Sequence, residues 1–146
     1  ESGPGSPDAE VISLSKPGPM GPPIRKLGIP VTSLGMSVGP SMFWKLNRLR
    51  KKIIAAQPDV IQTWMYHANL VGGIIARVAG IKNVVWSIHH TYLSYKNSKL
   101  STIIVSKLSS KLSGFIPKKI VCCAQKSLEV HSLAGYAVNK LFVINN

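Results

Sequence analysis

The stretch from Pro58 to His90, PDVIQTWMYHANLVGGIIARVAGIKNVVWSIHH, constrains this chain more than any other. Two short apolar runs, Asp59 to Thr63 and Asn83 to Ile88, flank a longer segment. In that segment Leu70, Val71, Ile74, Ile75 and Val78 recur at helical spacing and form one stripe. Gly80 follows where a helix C-cap glycine belongs. Strand, helix and strand in this length make a βαβ unit, whose strands are parallel. Ligands of such units bind beyond the carboxyl ends of the strands. The polar and aromatic residues gather there: Thr63, Trp64, Tyr66, His67 and Asn69 after the first strand, and His89, His90 and Thr91 after the second.

The rest of the chain extends this pattern. Residues 1–9 are rich in Gly, Pro and Ser and are expected to be disordered. Glu10 to Ser15 reads as a strand, Pro22 to Leu27 as one or two helical turns, and Pro30 to Leu34 as an edge strand. Ser41 is an N-cap for a helix whose buried stripe is Met42, Leu46, Leu49 and Ile53. That helix stops near Gln57, because Pro58 disfavours helical geometry in the residue before it. After His90, Leu100, Ile104, Leu108 and Leu112 mark a further helical stripe. Ile120 to Ala124 is a buried strand, Ser127 to Ala134 a short helix, and Leu141 to Ile144 a last strand. The expected class is α/β, a Rossmann-like parallel sheet with helices on both faces.

Charge raises three classes of partner without choosing between them. Eighteen Lys and Arg oppose five Asp and Glu among 146 residues, for a net charge of +13. Nucleic acid, an anionic membrane surface and phosphorylated small molecules all suit that excess. Trp44 beside Lys45, with Arg48, Lys51 and Lys52 on the same helix, suits a membrane interface. Lys107 and Lys111 are like charges one turn apart, in a helix without acids. Nucleic acid is disfavoured: there is no helix-turn-helix, zinc or RRM-type signature, and no aromatic ladder among the basic residues. No apolar run approaches the length that spans a bilayer. Adjacent Cys122 and Cys123 lie in an apolar run, read as strand core in a reducing setting. No cluster of ligand types suggests a metal, and no cofactor is expected. A dinucleotide-binding dehydrogenase is weakly supported, since no G-x-G-x-x-G follows any strand.

PDVIQTWMYHAN, LVGGIIARVAGI, NVVWSIHHT, KIVCCAQKSLEVH and LFVINN, in this order and spacing, resemble the N-terminal, acceptor-side domain of glycosyltransferase family 4. LGIPVTSLGM also matches the segment before that domain's third helix. The likeness runs from about Glu10 to Asn146. It implies the GT-B architecture, two Rossmann-like domains facing one cleft, and retaining transfer from a nucleotide-sugar donor to a lipid-linked or polysaccharide acceptor. With the basic surface, it implies a cytoplasmic enzyme held peripherally at the inner face of the membrane. Two departures stand out. The family's first strand and glycine-rich loop have no counterpart in ESGPGSPDA, and the donor-binding domain does not follow Asn146. The expectation is therefore a partial domain, residues 10–146, lacking its central first strand and inactive alone. The alternative is a basic binding module for nucleic acid or anionic lipid, without catalysis.

The resemblance also proposes roles. His89 sits where family members often carry a histidine facing the donor sugar. It can bond a sugar hydroxyl or stabilise charge, or it can be a histidine satisfied by backbone groups at a strand end. Tyr66 and Asn69, with His90 and Thr91, are the candidate substrate contacts. Asn69 or His67 could equally cap its helix, whose N-terminus suits a phosphate or a hydroxyl-rich group. Trp64 reads as core, and Ser127 as a helix cap near Gln125.

Overall fold

The computed structural model describes residues 8–16, 18–37, 39–90 and 100–145. The chain divides into two compact units, Glu1–Leu49 and Arg50–Asn146.

In the first unit, β1 (Val11–Ser13) pairs in parallel with β2 (Val31–Ser33), with Val11 opposite Val31. Between them lies α1 (Gly21–Lys26), which has proline at its start and ends before Gly28 at φ 81. Pro30 has no N–H to give, but its carbonyl accepts the Val11 N–H at 2.9 Å. Helix α2 (Met42–Ala56) carries the chain from one unit into the next. Leu49 and Ile53 of its expected stripe are buried. The helix ends before Pro58, as expected: Gln57 leaves right-handed helical space, at φ 42.

The second unit is built on a parallel sheet of β3 (Ile61–Trp64), β4 (Val84–Ile88), β5 (Lys119–Cys122) and β6 (Leu141–Val143), in that spatial order. The register sets Thr63 opposite Trp86, Trp86 opposite Ile120 and Ile120 opposite Leu141. Helices α3 (Met65–Val78), α4 (Leu100–Leu112) and α5 (Gln125–Leu133) link successive strands, and a single 3-10 turn precedes β6. Among the described residues β1 and β2 form a two-stranded sheet of their own.

Strand alternation builds the core. Val84, Trp86, Ile88, Ile120 and Cys122 are wholly buried and pack with Tyr66, Ala76, Ile116, Tyr136 and Leu141. Their neighbours along each strand, Val85, Ser87, Val121 and Cys123, turn to the other face.

On α3 and α4 the predicted stripes are only partly buried: Leu70 is buried and Leu112 packs against the core, but the other ends of both stripes are exposed. On α3, Ile74 and Val78 are exposed, and the buried face includes Asn69, Gly72, Gly73 and Ala76. Trp86 is the reason. A β-carbon on Gly73 would stand 2.7 Å from Trp86 Nε1 and 2.8 Å from Ile116 Cγ2, and one on Gly72 would stand 3.1 Å from Thr63 Cγ2. The indole occupies the space that a branched side chain would need, so only small residues let this backbone approach the sheet. On α4 the buried residues are Ser106 and Ser109, followed by Ser113, whereas Leu100, Ile104 and Leu108 face outward. Here the small face packs against α3 and the Tyr136 segment. Gly80, at φ 91, ends α3 as expected: its N–H reaches the Arg77 carbonyl, and the Ile81 N–H reaches Ala76.

Candidate functional site

The carboxyl ends of β3 to β6 meet at one edge of the second unit. The β3–α3 junction is sharp: Trp64 is extended, and Met65 follows at φ 70, a left-handed conformation that is unfavourable for a side chain with a β-carbon. This turn leaves Trp64 half exposed, so it is not the core residue its composition suggests. A groove of about 400 Å³ runs along the sheet here, lined by Gln62, Trp64, Val85, Ser87, His89, Val121, Cys123 and Ile144. Alternation places them together: Gln62 and Trp64, Val85, Ser87 and His89, and Val121 and Cys123 are i, i+2 sets on three neighbouring strands. Gln62 Nε2 donates to Ser87 Oγ at 2.8 Å, which fixes the amide on the groove floor.

His89 is exposed and lines this groove. His90 is also exposed; its ring stacks on Tyr66, with centroids 6.1 Å apart and planes 10° apart. Its carbonyl accepts the Ser127 hydroxyl at 2.9 Å. Ser127 is therefore a tie between α5 and the end of β4 rather than a helix cap, and the N-cap position of α5 is Ala124. Thr91 lies outside the described residues.

Tyr66 and Asn69 are turned inward. Asn69 is 1% exposed; its Oδ1 accepts the Thr63 hydroxyl at 2.7 Å, and its Nδ2 donates to the Ser87 carbonyl at 3.2 Å. These bonds fasten α3 to β3 and β4 behind the groove. Tyr66 is 2% exposed, and its hydroxyl lies 2.7 Å from His131 Nε2. Burial, reinforced by Tyr136 and Cys122, raises the Tyr66 hydroxyl far above its ordinary range, so it stays protonated and serves as a donor. His67, in the first turn of α3, is exposed. His131 is the residue that sequence reasoning missed; a histidine inside a short helix gives no local sign that it is wholly buried.

The basic residues have separate settings. Trp44 and neighbouring Phe43 are exposed on α2, as are Arg48 and Lys51, while Lys52 is half-buried. The Lys45 ammonium donates to the Gly35 carbonyl, which fastens the start of α2 within the first unit. Lys107 and Lys111 are exposed on α4. Among the described residues no group of His, Cys, Asp or Glu could hold a metal ion.

Comparison with known proteins agrees with this architecture. Residues 6–146 match the profile of Glycosyltransferase Family 4. Three structures of HepE from Anabaena are similar in fold. The complex with UDP and glucose superposes with a TM-score of 0.73 at 20% identity, over 94% of this chain and 36% of that one. The complexes with UDP and with UDP-glucose give TM-scores of 0.70 and 0.71 at 17% identity, each over 94% of this chain and 43% of the other. The chain thus spans less than half the length of these structures. No curated protein matches it. The parallel sheets flanked by helices are those of a Rossmann-like GT-B glycosyltransferase, and the chain belongs to Glycosyltransferase Family 4.

Proposed function

We propose that this chain is the acceptor-side half of a retaining glycosyltransferase that moves a sugar from a nucleotide-sugar donor to a lipid-linked or polysaccharide acceptor. The observation that carries the reading is His89, exposed at the carboxyl end of β4 and lining a groove with Gln62, Trp64, Ser87 and Cys123. That end of a parallel sheet is where α/β folds receive ligands. An imidazole there can bond a sugar hydroxyl or stabilise charge developing at the anomeric centre. His90 contributes at the rim, with Tyr66 and Asn69 holding the frame behind it. The structures of HepE with UDP, glucose and UDP-glucose support a nucleotide sugar as donor. The net charge of +13 and the exposed Trp44, Arg48 and Lys51 support peripheral attachment to the cytoplasmic face of an anionic membrane.

Transfer from UDP-glucose and other nucleotide sugars, measured on the full gene product and on the 146-residue chain, tests this reading. The full product should transfer with retained anomeric configuration, and the chain alone should not. His89→Ala in the full product should lower kcat by roughly a hundredfold without changing the fold. Inverted product, or full activity in the His89 variant, would overturn the corresponding claim. The charge excess also favours a second reading, a basic binding module without catalysis. Equal and steeply salt-dependent binding to duplex DNA, single strands and anionic vesicles would support it.

A further inference from the structure

Helix α4 turns Val105 and Leu112 toward the core and buries two serines beside them, yet it leaves a second apolar stripe outside. Leu100, Ile104 and Leu108 are 73%, 50% and 45% exposed, whereas Ser106 and Ser109 are buried. The small face has its own partners: Ser106 Oγ lies 3.4 Å from the Tyr136 hydroxyl, and just beyond the helix Ser113 Oγ accepts the Ala137 N–H at 2.8 Å. At 3.6 residues per turn, Lys107, Leu100, Lys111, Ile104 and Leu108 fall within roughly 100° of arc. The outward face is therefore three branched aliphatic side chains interleaved with two lysines. The helix contains no acidic residue.

We propose that this face of α4 docks on the surface of an anionic bilayer. Leu100, Ile104 and Leu108 enter the boundary between headgroups and acyl chains, and Lys107 and Lys111 lie among the lipid phosphates. The proposal rests on the membrane-attached reading above and names the element that carries it. Charge decides the occupant. Every charged group on the stripe is a cation, in a chain of net charge +13. Lysine stems are apolar and let the ammonium reach headgroup level while neighbouring side chains sit deeper. A polyanion such as nucleic acid would pair with the lysines but leave the three aliphatic residues in water. No described helix is long and apolar enough to cross a membrane, and α4 has 13 residues, so the helix lies in the interface plane.

Sedimentation with vesicles of phosphatidylcholine and phosphatidylglycerol in equal parts, across a salt series, tests the proposal. The comparison is between the unaltered chain and an Ile104→Ser, Leu108→Ser double variant. Both positions face outward, so circular dichroism and the thermal midpoint should be unchanged. The unaltered chain should bind and keep part of its binding at high salt. The double variant should bind roughly tenfold more weakly and lose the salt-resistant part. Equal binding by the two would overturn the role of α4 and leave membrane attachment to the basic residues of α2. Absence of binding by the unaltered chain would overturn both.

Discussion

The Tyr66 hydroxyl and His131 Nε2 lie 2.7 Å apart, with both side chains closed off from solvent. The other ring nitrogen, Nδ1, is 2.7 Å from the Ser127 carbonyl. A carbonyl only accepts, so Nδ1 carries the proton and Nε2 accepts from Tyr66. Tyr136 meets the same imidazole edge-on, with centroids 5.2 Å apart. Ser127, one hydrogen bond from this pair, also holds the His90 carbonyl through its hydroxyl. The start of α3, the middle of α5 and the end of β4 are thus joined by one chain of hydrogen bonds.

Tyr66→Phe removes the donor and leaves Nε2 buried without a partner. It should cost about 1–3 kcal/mol. A shift in the urea midpoint at unchanged slope measures the loss, and an unshifted midpoint would show that the bond contributes nothing.

Acidification should destabilise the fold through His131. Burial is the main cause of its lowered pKa, opposed by the hydrogen bond to Ser127 and assisted by His90. The unfolded chain takes up this proton near the ordinary 6.5, whereas the folded chain resists it. The stabilisation is complete above that pH and is lost as the pH falls from there through the lowered folded value. Denaturant midpoints taken between pH ~7.5 and ~5 should therefore decline, and His131→Gln should flatten the decline.

Gly73→Ala should be among the most damaging single-methyl additions. The new carbon would stand 2.7 Å from Trp86 Nε1, on a tryptophan with no exposed surface. Either α3 lifts or the indole moves, at a cost of about 1–3 kcal/mol. Thermal melting would register this as a lowered midpoint; a rise, as expected where helix propensity alone decides, would contradict the packing account.

The two adjacent cysteines should differ in reactivity. Cys122 is wholly buried on the core face, and burial raises its thiol above the ordinary range against a lowering hydrogen bond from Ser127. Cys123 lines the groove on the opposite face. A maleimide should modify one thiol in the folded chain and two in denaturant, and peptide mapping should place the first on Cys123.

Element order was legible in the residues because it depends on short-range pattern. The runs at Ile61–Trp64 and Val84–Ile88 became neighbouring parallel strands, and Gly80 ended the helix between them. His89 could be placed at a strand end for the same reason. The groove around it was less legible. Gln62, Ser87 and Cys123 belong to three strands, and only the register Gln62–Val85 and Ser87–Val121 brings them together.

The sequence by itself determined which segments are strands and helices, their parallel order, the helix stops at Pro58 and Gly80, and the excess of positive charge. These follow from local sterics, hydrophobic period and composition. On α2 the predicted stripe supplied the buried Leu49 and Ile53, but only the tertiary structure decided how much of the apolar stripes of α3 and α4 is buried. Ile74, Val78, Leu100, Ile104 and Leu108 are apolar at helical spacing, yet they face outward, while Gly72, Gly73, Ala76, Ser106 and Ser109 face inward. Hydrophobicity says what gains from burial, but the room under a helix is set by residues distant in sequence. Beneath α3 that room is occupied by Trp86.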